Sequence, residues 1–296
     1  MPLVNANGIE IAYESHGDAA DPTILLIMGL GGQLAMWPTA LIDTLVDAGH
    51  HVVTFDNRDI GLSTKHDGTR VPNLIWQVVT RRLGVKLETP YTLKDMADDA
   101  AGLMDALEID RAHVAGVSMG GMIGQHLAAH YPGRVRTLSA IMTTTGNPNL
   151  PRPSGDVIKA VFRAGPPPTT REAIIDRSVR AFSLIGTPGE DHDTNGTRER
   201  ITASYERNYS PASLRRQTAA IIASGDFRHV TRRIKAPTLV LHGSVDPLVP
   251  IEGGHDIARI VPGARMEVID GMGHDLPPRF VPQLAGHMLD HIRQHS

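Results

Sequence analysis

Short, continuously apolar runs alternate with helix-length segments over the first half of this 296-residue chain. The runs are Thr23–Met28, His51–Phe55, Ala112–Val117 and Val135–Met142. Strands of this kind suit a sheet buried on both faces, which means parallel strands joined by helical crossovers. The spacing predicts helices over Pro38–Ala48, Thr92–Leu107 (Met96, Ala100, Leu103, Met104 and Leu107 on one side) and Gly120–Tyr131, the last stopped by Pro132. At the N-terminus, Leu3-Val4 and Ile9–Tyr13 flank Asn7-Gly8, a pair that favours a two-residue hairpin turn.

The alternation breaks after about Gly146. Residues 147–230 are punctuated by proline and read as helices over Gly155–Arg163, Arg171–Leu184, Arg198–Asn208 and Ser213–Ala223. The rhythm then resumes with Thr238–His242 (strand), Ile251–Ile260 (helix), Arg265–Ile269 (strand) and Val281–Arg293 (helix). We therefore expect one α/β core, residues 1–146 and 231–296, carrying a helical cap over 147–230. A further irregularity spans residues 66–91. Its amphipathic stretch Val71–Leu83 reads as a surface helix covering the core, with placement of Trp76 at a substrate entrance as the alternative.

The chemistry centres on Gly116-Val-Ser118-Met-Gly120, a Gly-x-Ser-x-Gly between a strand and a helix. In that context the sharp turn lifts the serine oxygen clear of the sheet edge, above a helix N-terminus that favours negative charge. A serine needs a base, and in the α/β-hydrolases, which this strand–Gly-x-Ser-x-Gly–helix resembles, an acid and then a histidine follow it in the chain. Asp246, in His242–Pro250, follows one strand, and His274, in Gly271–Asp275, follows the next, so both emerge on the same edge as Ser118. Among the 15 histidines, His50, His51, His113, His126, His130 and His242 lack that placement, and His255 falls in a helix. Asp270 and Asp275 lie too close to His274 to be its acid. For the oxyanion, the expected amide donors are Met119, after the nucleophile, and Leu30, in the loop Met28-Gly-Leu-Gly-Gly32. The run Asp56–Ser63 reads as a brace for those loops. Met28, Met119, Met142 and Met272 all sit at strand ends or adjoining loops on this edge. They suggest a methionine-lined pocket, with Met28, Met142 and Met272 as candidate substrate contacts, and ordinary core filling is the alternative.

These residues resemble the α/β-hydrolase superfamily along essentially the whole chain, through Val114–Gly121, His242–Pro250 and Gly271–Pro277. Within it the chain is similar to the aclacinomycin methylesterase group of bacterial esterases, through Ile27–Gly32, Phe55–Ser63 and Gly271–Pro277. The resemblance implies the α/β-hydrolase fold, a mostly parallel central sheet with helices on both faces and an inserted helical cap. It also implies cofactor-free serine chemistry on a small-molecule carboxylic ester. Where the superfamily often has His before the oxyanion glycine, this chain has Met28. Amide or carbon–carbon hydrolysis and a cofactor-free perhydrolase use the same triad, and a ligand receptor on the same scaffold is a further alternative.

Other classes are disfavoured. A net charge of −3 gives no pull toward nucleic acid or an anionic membrane. With no cysteine there is no disulfide or thiolate site, and no His-x-x-x-His or carboxylate cluster suggests a metal. No Gly-Lys-Ser/Thr loop or Gly-x-Gly-x-x-Gly marks a nucleotide site. The N-terminus lacks the basic and apolar regions of a signal peptide, and the longest apolar run, Ile24–Met28, is too short to span a bilayer, so the expected setting is cytoplasmic, as a monomer or homodimer.

Overall fold

In the computed structural model of the chain, the continuously apolar runs become strands with every residue buried: β3 (Thr23–Ile27), β4 (His51–Phe55), β5 (Ala112–Val117) and β7 (Thr238–Gly243). The structure describes all residues except 70–72, 75, 78–79, 81–86, 162–167, 190–192 and 296. With β1 (Leu3–Ala6), β2 (Ile9–His16), β6 (Val135–Ile141) and β8 (Arg265–Ile269) they form one eight-stranded sheet in the order β1-β2-β4-β3-β5-β6-β7-β8. Pairing is parallel from β4 to β8, and antiparallel between β1 and β2 and between β2 and β4. The register pairs Ala6 with Ile9, which leaves Asn7 (φ 49°) and Gly8 (φ 78°) as the two turn residues, both left-handed.

Alternate residues of each strand face opposite sides, so one sheet needs two helical layers. Leu25, Ile27, Val53 and Phe55 pack against α2 (Leu93–Ala106) and α3 (Met119–His130), with Ile257 of α9 (Glu252–Ile260) in the same cluster. Ile24, Leu26, Val52, Leu239 and Leu241 pack on the other face against α1 (Thr39–Asp47) and α10 (Val281–Gln294). Helix α2 starts where the spacing predicts. Thr92 and Asp95 cap each other's backbone amides in a capping box.

Between β6 and β7 the chain forms α4 (Gly155–Val161), α5 (Arg171–Ile185), α6 (Thr194–Arg207), α7 (Pro211–Ser224) and the short α8 (Arg228–Thr231). Ile175, Val179 and Ile201 form a small cluster of their own, with Met36, Phe182 and Tyr205 packed against it. Helix α6 starts at Thr194 rather than Arg198, because the Asp193 side chain accepts from the Gly196 amide and caps it. Residues 162–163 of the expected first helix lie outside the described residues, as does much of the expected helix Val71–Leu83. Trp76, within the latter, is 66% exposed.

Candidate active site

Ser118 follows β5 with a backbone that only a constrained turn imposes on a non-glycine residue, φ 54° and ψ −120°. The turn is held on both sides. The Ser118 amide donates to Ile141 O at 2.9 Å, and the Ser118 carbonyl accepts Thr143 Oγ1 at 2.7 Å. Two glycines let helix and strand meet. A Cβ on Gly116 would overlap the Gly120 carbonyl, and a Cβ on Gly120 would overlap the Ile27 carbonyl. Helix α3 opens directly at Met119, so the Met119 amide belongs to the first turn, whose N–H groups lack intrahelical partners.

The loops after β7 and β8 carry Asp246 and His274 to the same edge. His274 Nδ1 lies 2.6 Å from Asp246 Oδ2, and its Nε2 lies 3.0 Å from Ser118 Oγ. A carboxylate only accepts, so Nδ1 carries the proton and Nε2 is free to accept from the serine hydroxyl. The other Asp246 oxygen accepts the Leu248 and Val249 amides at 2.9 and 2.8 Å, which fixes the carboxylate plane. His242 also approaches this carboxylate, at 3.6 Å, but its Nε2 donates to Val249 O at 2.8 Å. Burial pushes its imidazole below the ordinary value, so it stays neutral beside Asp246.

The loop after β3 faces the serine, and a Cβ on Gly29 would stand 3.2 Å from Ser118 Cβ. Its Gly31 amide is committed to Gln217 Oε1 at 2.9 Å and its Gly32 amide to Gly29 O at 3.1 Å. Asn57 braces the loop by donating to Met28 O at 2.9 Å, and Asp56 accepts the Leu34 amide at 2.8 Å. The same Asp56–Ser63 segment also reaches the helices between β6 and β7. Asp56 pairs with Arg207 at 3.0 Å, and buried Asp59 pairs with buried Arg216 at 2.6 and 2.7 Å. Residues such as Arg207, Arg216 and Gln217 carry no local motif, and only their distant partners reveal them.

Ser118 and His274 open into a cavity of about 430 Å³. Core residues Met28, Leu30, Met119 and Met142 line it, together with Phe182, Ile201, Tyr205 and Leu214 from the overlying helices. Met36 and Met122 also line it, a pair that strand-end position does not single out. Met272 departs from expectation. It is fully buried in the sheet face covered by α1 and α10, not at the cavity. Its loop presses on β7 so closely that a Cβ on Gly243 would overlap the Met272 carbonyl, and the side chain turns into the core. Trp76 is not among the lining residues. Arg200 is the one permanently charged side chain among the described lining residues, and it pairs with Asp193 at 2.9 Å. Among the described residues no cluster is placed to hold a metal ion, and no helix is long and apolar enough to cross a membrane.

A family model described as alpha/beta hydrolase fold matches residues 22–277. The chain is similar to rhodomycin D methylesterase of Streptomyces sp. (strain C5), 27% identical with 98% of this chain and 97% of the relative covered. It is also similar to 3-oxoadipate enol-lactonase 2 of Acinetobacter baylyi, 24% identical over 90% of this chain and 87% of the relative. Among solved structures, the enol-lactonase from Burkholderia xenovorans LB400 superposes with a TM-score of 0.73 at 23% identity, covering 99% of this chain and 100% of that one. On the match over most of its length, and on the sheet that carries it, the chain belongs to the alpha/beta hydrolase fold family.

Proposed function

We propose that this protein is a carboxylic ester hydrolase acting through an acyl-enzyme on Ser118. The observation that carries the reading is His274, which joins Asp246 and Ser118 at 2.6 and 3.0 Å on the wall of an apolar cavity. The methylesterase and lactonase relatives, both named for ester-bond hydrolysis, support the same bond type.

In this reading neutral His274 takes the hydroxyl proton as Ser118 Oγ attacks the ester carbonyl. Asp246 holds the imidazole tautomer and stabilises its charged form. The amides of Leu30 and Met119 bind the oxyanion. Leu30 fits that role because its neighbours Gly31 and Gly32 spend their amides elsewhere. His274 then returns the proton to the departing alcohol, and water attacks the acyl-enzyme by the same route. Residues 147–230 act as a cap over the core formed by 1–146 and 231–296. A cavity of about 430 Å³ suits a small to medium ester, and adaptable thioethers at Met28 and Met142 suit an apolar acyl group.

The test is a panel of p-nitrophenyl esters, methyl esters and amides run on wild type and Ser118→Ala. We expect hydrolysis of esters, reduced in the variant by roughly 10⁴–10⁶ in kcat with the fold intact. Near-normal turnover by Ser118→Ala contradicts the proposal.

A further inference from the structure

The loop that carries His274 is clamped from the cap side. Helix α5 ends at Ile185, and the next two residues lie along Gly273-His274-Asp275. The His274 amide donates to Ile185 O at 2.7 Å, and the Gly273 amide donates to Thr187 Oγ1 at 3.0 Å. In return Asp275 Oδ1 accepts the Thr187 amide at 2.9 Å and the Thr187 hydroxyl at 2.7 Å. Thr187 is 1% exposed, so these bonds form where unmade polar groups are costly. The fit leaves no slack. A Cβ on Gly186 would stand 2.7 Å from Asp275 Oδ2, and a Cβ on Gly273 would overlap the Gly186 carbonyl.

We infer that Thr187, acting with Asp275, is a positioning residue for His274. Its hydroxyl ties the residue before the imidazole to the residue after it, through one oxygen that accepts from Gly273 and donates to Asp275. The His274 backbone is thereby fixed on both sides, and the imidazole reaches Asp246 and Ser118 from a single position. Helix α5 also lines the cavity, through Ile175 and Phe182, and runs directly into the segment that clamps His274. The inference rests on the reading of His274 as the base.

The test compares Thr187→Val, which keeps the shape and removes the hydroxyl, with Thr187→Ser, which restores it, and with Asp275→Ala, which breaks the clamp from the other side. Two readouts are taken: steady-state hydrolysis of p-nitrophenyl acetate, and the far-downfield proton resonance of His274 Nδ1–H. For Thr187→Val and Asp275→Ala we expect kcat to fall about 10- to 100-fold with KM within about twofold, while Thr187→Ser stays within about threefold of wild type. The downfield proton should persist in wild type and Thr187→Ser and be lost in Thr187→Val and Asp275→Ala. Should Thr187→Val not fold, Asp275→Ala against Thr187→Ser gives the same comparison. Wild-type kcat in both disrupted variants, or a downfield proton unchanged in them, overturns the clamp. A wild type that leaves the ester intact, or a Ser118→Ala control as active as wild type, overturns the esterase reading instead, and the proton signal then decides the clamp alone.

Discussion

At Ser118 the backbone bears a cost that its surroundings repay. A non-glycine φ of 54° persists because Ile141, Thr143 and the first turn of α3 over-determine the turn, and because Gly116 and Gly120 allow the approach. Gly120→Ala places a methyl group on the Ile27 carbonyl, in the backbone that leads into the loop after β3. We expect it to lower stability by about 1–3 kcal/mol and kcat by more than about tenfold, measured by urea unfolding and ester hydrolysis. An unchanged kcat would show that the tight approach is incidental to the site. Ser118, Asp246 and His274 could all be placed on one edge from sequence because each follows the end of an expected strand, and strand ends of a parallel sheet share an edge. Met272 has the same kind of position, yet its side chain turns into the core, since a loop residue's direction is set by what the loop packs on. Thr187 and Gln217 were not legible at all. Their partners Asp275 and Gly31 lie far away in the chain, and a threonine or glutamine in a helical region has no spacing to betray it.

At the scale of elements, the helices over residues 147–230 join the core through apolar contacts at Ala220, Phe227 and Val230 and through buried polar pairs. Arg216 of α7 is buried against Asp59, which also accepts the Tyr91 hydroxyl at 2.7 Å. Burial alone would raise the Asp59 carboxyl, but the bonds from Arg216 and Tyr91 outweigh it and hold the group below the usual carboxylate range. Removing one partner strands a buried charge. Arg216→Met should therefore cost roughly 3–5 kcal/mol in urea unfolding, far more than loss of an exposed ion pair such as Arg293–Asp290. A loss under about 1 kcal/mol would mean that the pair is not buried in solution as it is here. The Asp56–Ser63 run was readable as a brace for the loop after β3, because Asp, Asn and Gly together signal a bonded turn. Its second partnership, with Arg207 and Arg216, was not readable, since the arginines sit on helices whose register against the core is a tertiary outcome. Helix α6 shows the same limit on a smaller scale: the cap at Asp193 moves its start to Thr194.

For the molecule as a whole, the sheet and its two layers tie stability to neutral histidines. His113, His126 and His291 are buried, and burial pushes them down to about 4, about 3 and about 4. In the unfolded chain each titrates near its ordinary value of about 6.5. Above that pH neither state holds the proton and the folded state keeps its full stability. As the pH falls from about 6.5 toward 4, the unfolded chain takes up protons that the folded protein refuses, and stability is lost. Unfolding free energy should therefore drop by at least about 2 kcal/mol between pH 7.5 and pH 5. A flat or rising profile would contradict the burial of these rings. The α/β alternation was legible from the apolar runs and the family from the motifs at Val114–Gly121, His242–Pro250 and Gly271–Pro277, local signals that need no distant partner to be recognised. The central claim, that Ser118 is the nucleophile set by His274 and Asp246, is tested most directly by fluorophosphonate labelling followed by peptide mass analysis. One adduct is expected, on Ser118, lost in Ser118→Ala and strongly slowed in His274→Ala. Labelling that survives Ser118→Ala, or a wild type that takes no label, would contradict it.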